Sequence, residues 1–140
     1  MCRHAVDMKR KRHEPAREFI ARKSEKFERY RQRLKPVRMK DIGRKGRHRF
    51  IREAWTFMVQ QNLPEKVFIV ERLRKIKFEG KIARRSIFRE GDIEYRIGYF
   101  IVGRIGQMRW RWTWGQFCPL IPKRDFARLL RKAEREGTIT

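Results

Sequence analysis

Cysteine is scarce in this chain of 140 residues, which contains only Cys2 and Cys118, near opposite ends. A disulfide framework or a CxxC pair is therefore excluded. His4, His13 and His48 do not complete a zinc-ligand spacing with either cysteine. We expect no metal, no cofactor and a reducing intracellular location, the cytoplasm. Cys118, at the end of a predicted strand, is expected to be a buried, inert thiol.

Long apolar runs are absent as well. No segment reaches the roughly 18 uncharged apolar residues of a membrane-spanning helix, and no signal-peptide core follows the N-terminus. No Walker loop, GxGxxG or GxSxG motif occurs. We therefore expect neither a membrane protein nor one of the enzymes that these motifs mark.

Acidic residues are few, with 16 Asp and Glu against 39 Lys and Arg, so that the net charge is +23. Such a charge repels itself unless a polyanion neutralises it, and nucleic acid is the abundant intracellular polyanion. The basic residues run through the whole chain, which a single membrane-anchoring helix would not require. Arginine outnumbers lysine two to one. Because guanidinium groups bind phosphate bidentately and stack on bases, this ratio favours RNA or distorted DNA over loose attraction to any polyanion. Of the two nucleic acids, RNA is the preferred partner.

Hydrophobic residues make up 40% of the chain and aromatic residues 12%, which excludes a wholly disordered basic tail. We predict an α+β fold in which basic N-terminal helices are followed by a three-stranded antiparallel sheet packed on a C-terminal helix. The predicted regions are a flexible basic arm over 1–13, a basic helical segment over 14–62 with a linker at 36–47, and an α+β domain over 63–140.

The N-terminal half has the spacing of helices. From Pro15, apolar residues recur at helical intervals until Pro36, which ends the first helix. A second helix is predicted from His48 to Gln61, because one face collects several apolar side chains. These are Phe50, Ile51, Ala54, Trp55 and Met58.

A third helix is predicted from Asn62 to about Lys75. Asn62 and Glu65 have the spacing of a capping box, with Pro64 in the first turn. The run Val67–Val70 is β-prone, however, so a strand remains an alternative for this segment.

After residue 76 the pattern alternates with a period of two. Three antiparallel strands are predicted over 81–88, 93–103 and 109–117, joined by turns at 90–92 and 104–108.

The final helix is predicted to begin at Pro122 and to stop at Gly137. The resulting α-β-β-β-α order resembles that of double-stranded-RNA-binding domains. The likeness concerns topology alone, because this helix begins Pro122-Lys123-Arg124-Asp125 and lacks that family's Lys-Lys-x-Ala-Lys run.

Three tryptophans alternate with other residues in the segment 109–114. On a strand, Trp110, Trp112 and Trp114 would share one face. With an even-numbered turn they would oppose Ile101, Tyr99 and Ile97, respectively. An odd turn or a bulge would break this register. The row is either core under the final helix or a platform on which unpaired bases stack.

Phosphate contacts are predicted for the arm, the first helix, the linker, an arginine face of the sheet around Phe100, and the last helix. The predicted residues are Lys9, Arg10, Lys11, Arg12, Arg17, Arg22, Arg29, Arg44, Lys45, Arg96, Arg104, Arg109, Arg111, Lys123, Arg124 and Arg128. The last helix carries further basic residues away from its apolar stripe, namely Arg131, Lys132 and Arg135.

The sequence thus predicts a non-catalytic, nucleic-acid-binding subunit of a ribonucleoprotein or another nucleic-acid assembly, with other proteins of that assembly as further partners. One alternative is a small metal-dependent nuclease, or a nuclease subunit, using Glu90, Asp92 and Glu94, with Glu71 and Glu79 upstream. Another is a protein–protein adaptor or inhibitor that docks on an acidic surface.

Overall fold

The computed structural model describes residues 13–39, 47–79 and 89–140. Two helices and five strands are present among them. They are α1 (Ala16–Gln32), β1 (Val37–Met39), β2 (Arg47–Gln60), β3 (Leu63–Glu79), β4 (Ile93–Val102), β5 (Trp112–Trp114) and α2 (Lys123–Arg135). The strands form one antiparallel sheet in the order β1-β2-β3-β4-β5. The α+β class is confirmed, with five strands where the sequence predicted three.

The centre of the sheet is the long hairpin of β2 and β3, joined by the two-residue turn Gln61-Asn62. Both predicted helices in this region, over 48–61 and 62–75, are therefore wrong, and the strand alternative for Val67–Val70 is confirmed. The boundary predicted between residues 62 and 63 falls at this turn, so the two sides of it share one sheet.

Two features of the hairpin imitate a helical pattern. The pairing of β2 with β3 shifts register between Arg49 and Phe50 and between Arg52 and Ala54. Each irregularity interrupts the alternation of faces, so apolar residues come in neighbouring pairs as they do on a helix. The run Val67–Val70 is fully buried on both faces of the sheet, so it shows no period at all.

The two helices cover opposite faces of the sheet. Val67 and Ile69 pack with Phe19 of α1, whereas Phe68 packs with Leu129 of α2. Successive residues of a strand point to opposite faces, so the protein has three layers, α1, sheet and α2. The "α1 face" and the "α2 face" denote the two sides of the sheet below.

Both predicted end helices are confirmed. Helix α1 begins after Pro15 and ends before Pro36. Helix α2 begins after Pro122, and Gly137, with a φ of 75°, ends it in the left-handed region that glycine tolerates. Phe126, expected on the buried stripe of α2, is 45% exposed.

The register of the tryptophan strand is not the predicted one. Trp112 pairs with Val102 and Trp114 with Phe100, each three residues away from the expected partner. Both rings therefore lie on the α1 face, and the predicted packing of this row under the final helix is wrong. The connection between β4 and β5 spans residues 103–111, an odd number, which is the condition that breaks the even register.

Close packing reinforces the observed register. A Cβ atom at Gly98 would lie 2.3 Å from the ring of Trp114, so the neighbouring strand has a glycine where the indole crosses it. The predicted strand 109–117 contains only the three paired residues of β5. Trp110, with a φ of 62°, lies outside it.

The remaining connections differ from expectation in smaller ways. The linker predicted at 36–47 contains β1, which pairs with β2. The strand predicted at 81–88 lies outside the described residues, as does the arm at 1–13 apart from His13. The turn predicted at 90–92 is confirmed. Because residues 63–79 are a strand, the α-β-β-β-α order is not present and the topological likeness to double-stranded-RNA-binding domains does not hold.

Replacing Phe19 by alanine should destabilise the protein by about 3–5 kcal/mol, since a fully buried phenyl ring is lost from the α1 face. The ring stacks on Trp112 at 4.6 Å between centroids. Urea unfolding measures the loss. Phe117→Ala is the matched control, because Phe117 is 81% exposed and should change stability by less than about 0.5 kcal/mol. Equal losses in the two variants would contradict the burial of α1 on the sheet.

Candidate nucleic-acid interface

The sixteen predicted phosphate contacts divide into groups in the structure. Six of them, in the arm and the linker, lie outside the described residues: Lys9, Arg10, Lys11, Arg12, Arg44 and Lys45. The others lie on α1, on β4, in the loop 103–111 and on α2.

The arginines of α1 are largely neutralised by carboxylates of the same region. Arg22 donates to both carboxylate oxygens of Glu14, at 3.0 and 2.9 Å, and Arg29 pairs with Glu25 at 3.1 Å. The hydrogen bond from Arg22 is the main cause that lowers the pKa of Glu14 below its ordinary value. Arg17 is exposed and has no carboxylate partner among the described residues. Three of the four arginines of α1, including Arg31 with Glu28, thus already have a carboxylate partner.

Arg96 belongs to a buried ion-pair cluster rather than to an exposed arginine face. Glu71, 1% exposed, accepts from Arg52 at 2.9 Å and from the Nη2 of Arg96 at 3.1 Å. Burial lowers the pKa of Arg52, whose guanidinium also lies 3.7 Å from the ring centroid of Phe27. Phe100 is a buried core residue. The expected arginine face around it is therefore wrong.

Glu71→Gln should destabilise the protein by about 3 kcal/mol, because it leaves two arginines with no full counter-charge in a largely buried site. Glu25→Gln is the control. It removes the partner of an exposed arginine on α1 and should cost about 0.3–0.5 kcal/mol. Thermal and urea unfolding compare them, and a loss at Glu71 no larger than at Glu25 would contradict the structural role of the cluster.

Helix α2 presents a row of arginines without acidic partners. The row follows the spacing i, i+4, i+7 and i+11, which places its members along one side of a helix. Its members, all exposed, are Arg124, Arg128, Arg131 and Arg135, here called the arginine ridge. None of them forms an ion pair with a carboxylate in the described part of the chain. Lys123 is also exposed at the start of the helix.

Two other charged residues of α2, Asp125 and Lys132, are engaged in contacts within the protein, and Glu134 is exposed but forms no ion pair with the ridge in the described part of the chain. Asp125 is 2% exposed and accepts the backbone N–H of Gln61 at 3.0 Å. Lys132 donates to Glu136 at 2.6 Å and to the carbonyl oxygen of Phe57 at 2.8 Å. The acids of the helix therefore leave the charge of the ridge largely intact.

A second basic element is the loop 103–111, which is closed on itself. The N–H of Gly103 donates to the carbonyl of Arg111 at 2.9 Å, and the N–H of Trp110 donates to the carbonyl of Gly103 at 2.8 Å. A Cβ at Gly103 would lie 2.2 Å from the carbonyl oxygen of Met108, so only glycine fits there. Compact loops of this size, with adjacent ends, are frequent binding elements.

Two arginines of this loop accompany the ring of Trp110. The guanidinium carbons of Arg104 and Arg109 lie 5.6 and 5.4 Å from its centroid, within cation–π range. Arg104 also forms an ion pair with Glu65. Arg109 and Arg111 are exposed, and neither has a carboxylate partner within the described ranges.

The loop and the start of α2 lie at the same end of the sheet. Asp125 of α2 binds Gln61, in the turn between β2 and β3. Arg104 of the loop pairs with Glu65, close to the start of β3 and hence to the same turn. Both basic elements therefore lie near the turn between β2 and β3.

The carboxylates of the nuclease alternative are dispersed. Glu90 and Asp92 are exposed at a turn, where a side-chain oxygen of Asp92 accepts the N–H of Arg89 at 3.1 Å. Glu94 is exposed on β4. Over residues 13–39, 47–79 and 89–140, no group of three or more His, Cys, Asp or Glu could hold a metal ion. That the protein binds no metal is still a prediction from the sequence.

Cys118 is exposed, so the expected buried thiol is wrong. The cause is the early end of β5 at Trp114, which leaves Cys118 in the connection to α2. Phe117 and Leu120 of this connection are also exposed, at 81% and 84%.

Comparison of the chain with protein-family models, with curated proteins and with solved structures finds no significant match. Neither α1 nor α2, the helices of the described ranges, is long and apolar enough to cross a membrane. Function therefore has to be inferred from the chemistry of the two basic elements.

Proposed function

We propose that this protein is a non-catalytic nucleic-acid-binding subunit of a ribonucleoprotein or a similar assembly, and that it binds RNA in preference to DNA. The observation that carries the proposal is the arginine ridge of α2. It concentrates charge that no described carboxylate neutralises, in contrast to the paired arginines of α1.

The ridge suits an extended polyanion better than a small anion. From Arg124 to Arg135 it spans twelve residues, or about 16 Å of helix axis. Its neighbouring members are separated by roughly one turn, about 5–6 Å between Cβ atoms. Each guanidinium can bind a phosphate bidentately, so the row can follow several consecutive phosphates of one strand.

The preference for RNA and for a large assembly rests on the predominance of arginine and on the distribution of basic residues over the protein. Arginine, which predominates, combines phosphate binding with stacking on bases, and single-stranded or looped RNA exposes its bases. Basic residues lie on both outer layers of the protein, such as Arg17 on α1 and Arg128 on α2. A component buried among several RNA segments would use both sides.

Arg128→Gln combined with Arg131→Gln should weaken RNA binding and reduce the slope of log K against log salt by about 2, since two phosphate contacts are lost. The control is Arg29→Gln combined with Arg31→Gln, which removes the same charge from arginines already paired on α1. Its slope should change little. Fluorescence anisotropy with a structured RNA hairpin, from about 50 to 200 mM salt, measures both slopes.

Equal loss of slope in the two double variants would mean that net charge alone, not the ridge, binds RNA. Failure of the unmodified protein to bind RNA, together with a protein partner retained after nuclease treatment, would overturn the proposal in favour of the adaptor.

A further inference from the structure

Trp110 differs from the other tryptophans in its environment. Trp55, Trp112 and Trp114 pack against the core cluster on the α1 face, and Trp112 also donates its indole N–H to the carbonyl of Glu14 at 2.7 Å. Trp110 lies outside that cluster, in the closed loop 103–111, and is half-buried. Trp110 therefore differs from the other three in lying outside the core cluster.

The backbone of Trp110 is also unusual. Its φ of 62° lies in the left-handed region, which costs free energy for a bulky residue and none for glycine. The same loop already has Gly106, at a φ of 65°, in such a conformation. Strained non-glycine residues persist where the surrounding structure holds them, often at ligand-binding sites.

The charges around the ring indicate the chemistry of the ligand. The loop 103–111 contains three arginines and no acidic residue. Arg104 is held by Glu65, whereas Arg109 has no carboxylate partner in the described chain and can leave the ring to bind a phosphate. An aromatic ring with cations beside it suits a ligand that is both planar and anionic.

We infer that Trp110 is a stacking site for an unpaired base, and that Arg109 binds the adjacent phosphate. Ile105 and Met108 of the same loop, 85% and 41% exposed, supply apolar contacts beside the stacked base. The inference rests on the proposed function and specifies its ligand, which is a single-stranded or looped segment of RNA. An apolar protein surface is a poorer ligand, because it would bury three arginines without counter-charges.

The test compares the full chain with its Trp110→Gly variant on two probes, a short oligouridylate and a fully paired RNA duplex. Glycine adopts the backbone conformation of Trp110 without strain, which offsets part of the loss of the half-buried ring and its contacts with Arg104 and Arg109, so the melting temperature should fall only slightly. Stacking contributes roughly 1–3 kcal/mol per base. Affinity for oligouridylate should therefore fall roughly 5- to 150-fold, and affinity for the duplex should change less than about twofold.

Two further variants separate stacking from other effects. Trp110→Phe keeps an aromatic ring and should retain most of the affinity for oligouridylate. It should also lose most of the fluorescence quenching that this probe produces in the unmodified protein, because the remaining tryptophans pack on the α1 face. Phe117→Ala removes an exposed aromatic ring outside the loop and should leave both affinities unchanged.

Several outcomes would overturn the inference. Unchanged affinity of Trp110→Gly for oligouridylate would do so while leaving the proposed function intact. A parallel fall in both affinities together with the melting temperature would assign Trp110 a structural role. Binding of neither probe by the unmodified protein would remove the proposed function itself. Loss of a nuclease-resistant protein partner in Trp110→Gly, with RNA affinity kept, would identify the loop as a protein-docking site.

Discussion

The segment Val67–Val70 imposes the main constraint on this structure, because it is fully buried on both faces of a central strand. A strand that is apolar on both faces needs a cover on each side, and the two helices provide these covers. Helix α1 seals one face with Phe19 and Phe27, and α2 seals the other with Leu129 and Ala133. The placement of the helices in turn decides which basic side chains reach the surface.

The parts of the fold that could be predicted from sequence are those with local end signals. Pro15, Pro36, Pro122 and Gly137 mark the ends of the two helices, and both helices are found there. The hairpin of β2 and β3 could not be predicted in the same way. Its register shifts and its two-sided burial remove the period-two alternation by which a strand is recognised. The register of β5 depends on the closure of the loop 103–111, which is a tertiary contact.

The residues of the candidate site show the same difference. Some of their positions follow from local sequence spacing, whereas others depend on contacts between residues that are distant in the sequence. The exposed row on α2 follows from helical spacing alone, so Arg124 and Arg128 could be predicted to lie on an accessible face. The pairing of Arg29 with Glu25 is also local, at four residues' separation, and could have been read as a helix ion pair. The ion pair of Arg96 with Glu71 joins residues 25 positions apart, and no sequence pattern indicates it.

We propose that nucleic acid binds this protein at the end of the sheet where α2 and the loop 103–111 lie. Ultraviolet crosslinking of the full chain to a uridine-containing RNA, followed by mapping of the crosslinked peptides, tests it most directly. We expect crosslinks in the loop 103–111 and in α2 (Lys123–Arg135), because the stacking ring and the arginine ridge lie there. Crosslinks confined to α1 (Ala16–Gln32), in which three of the four arginines are ion-paired, would contradict it.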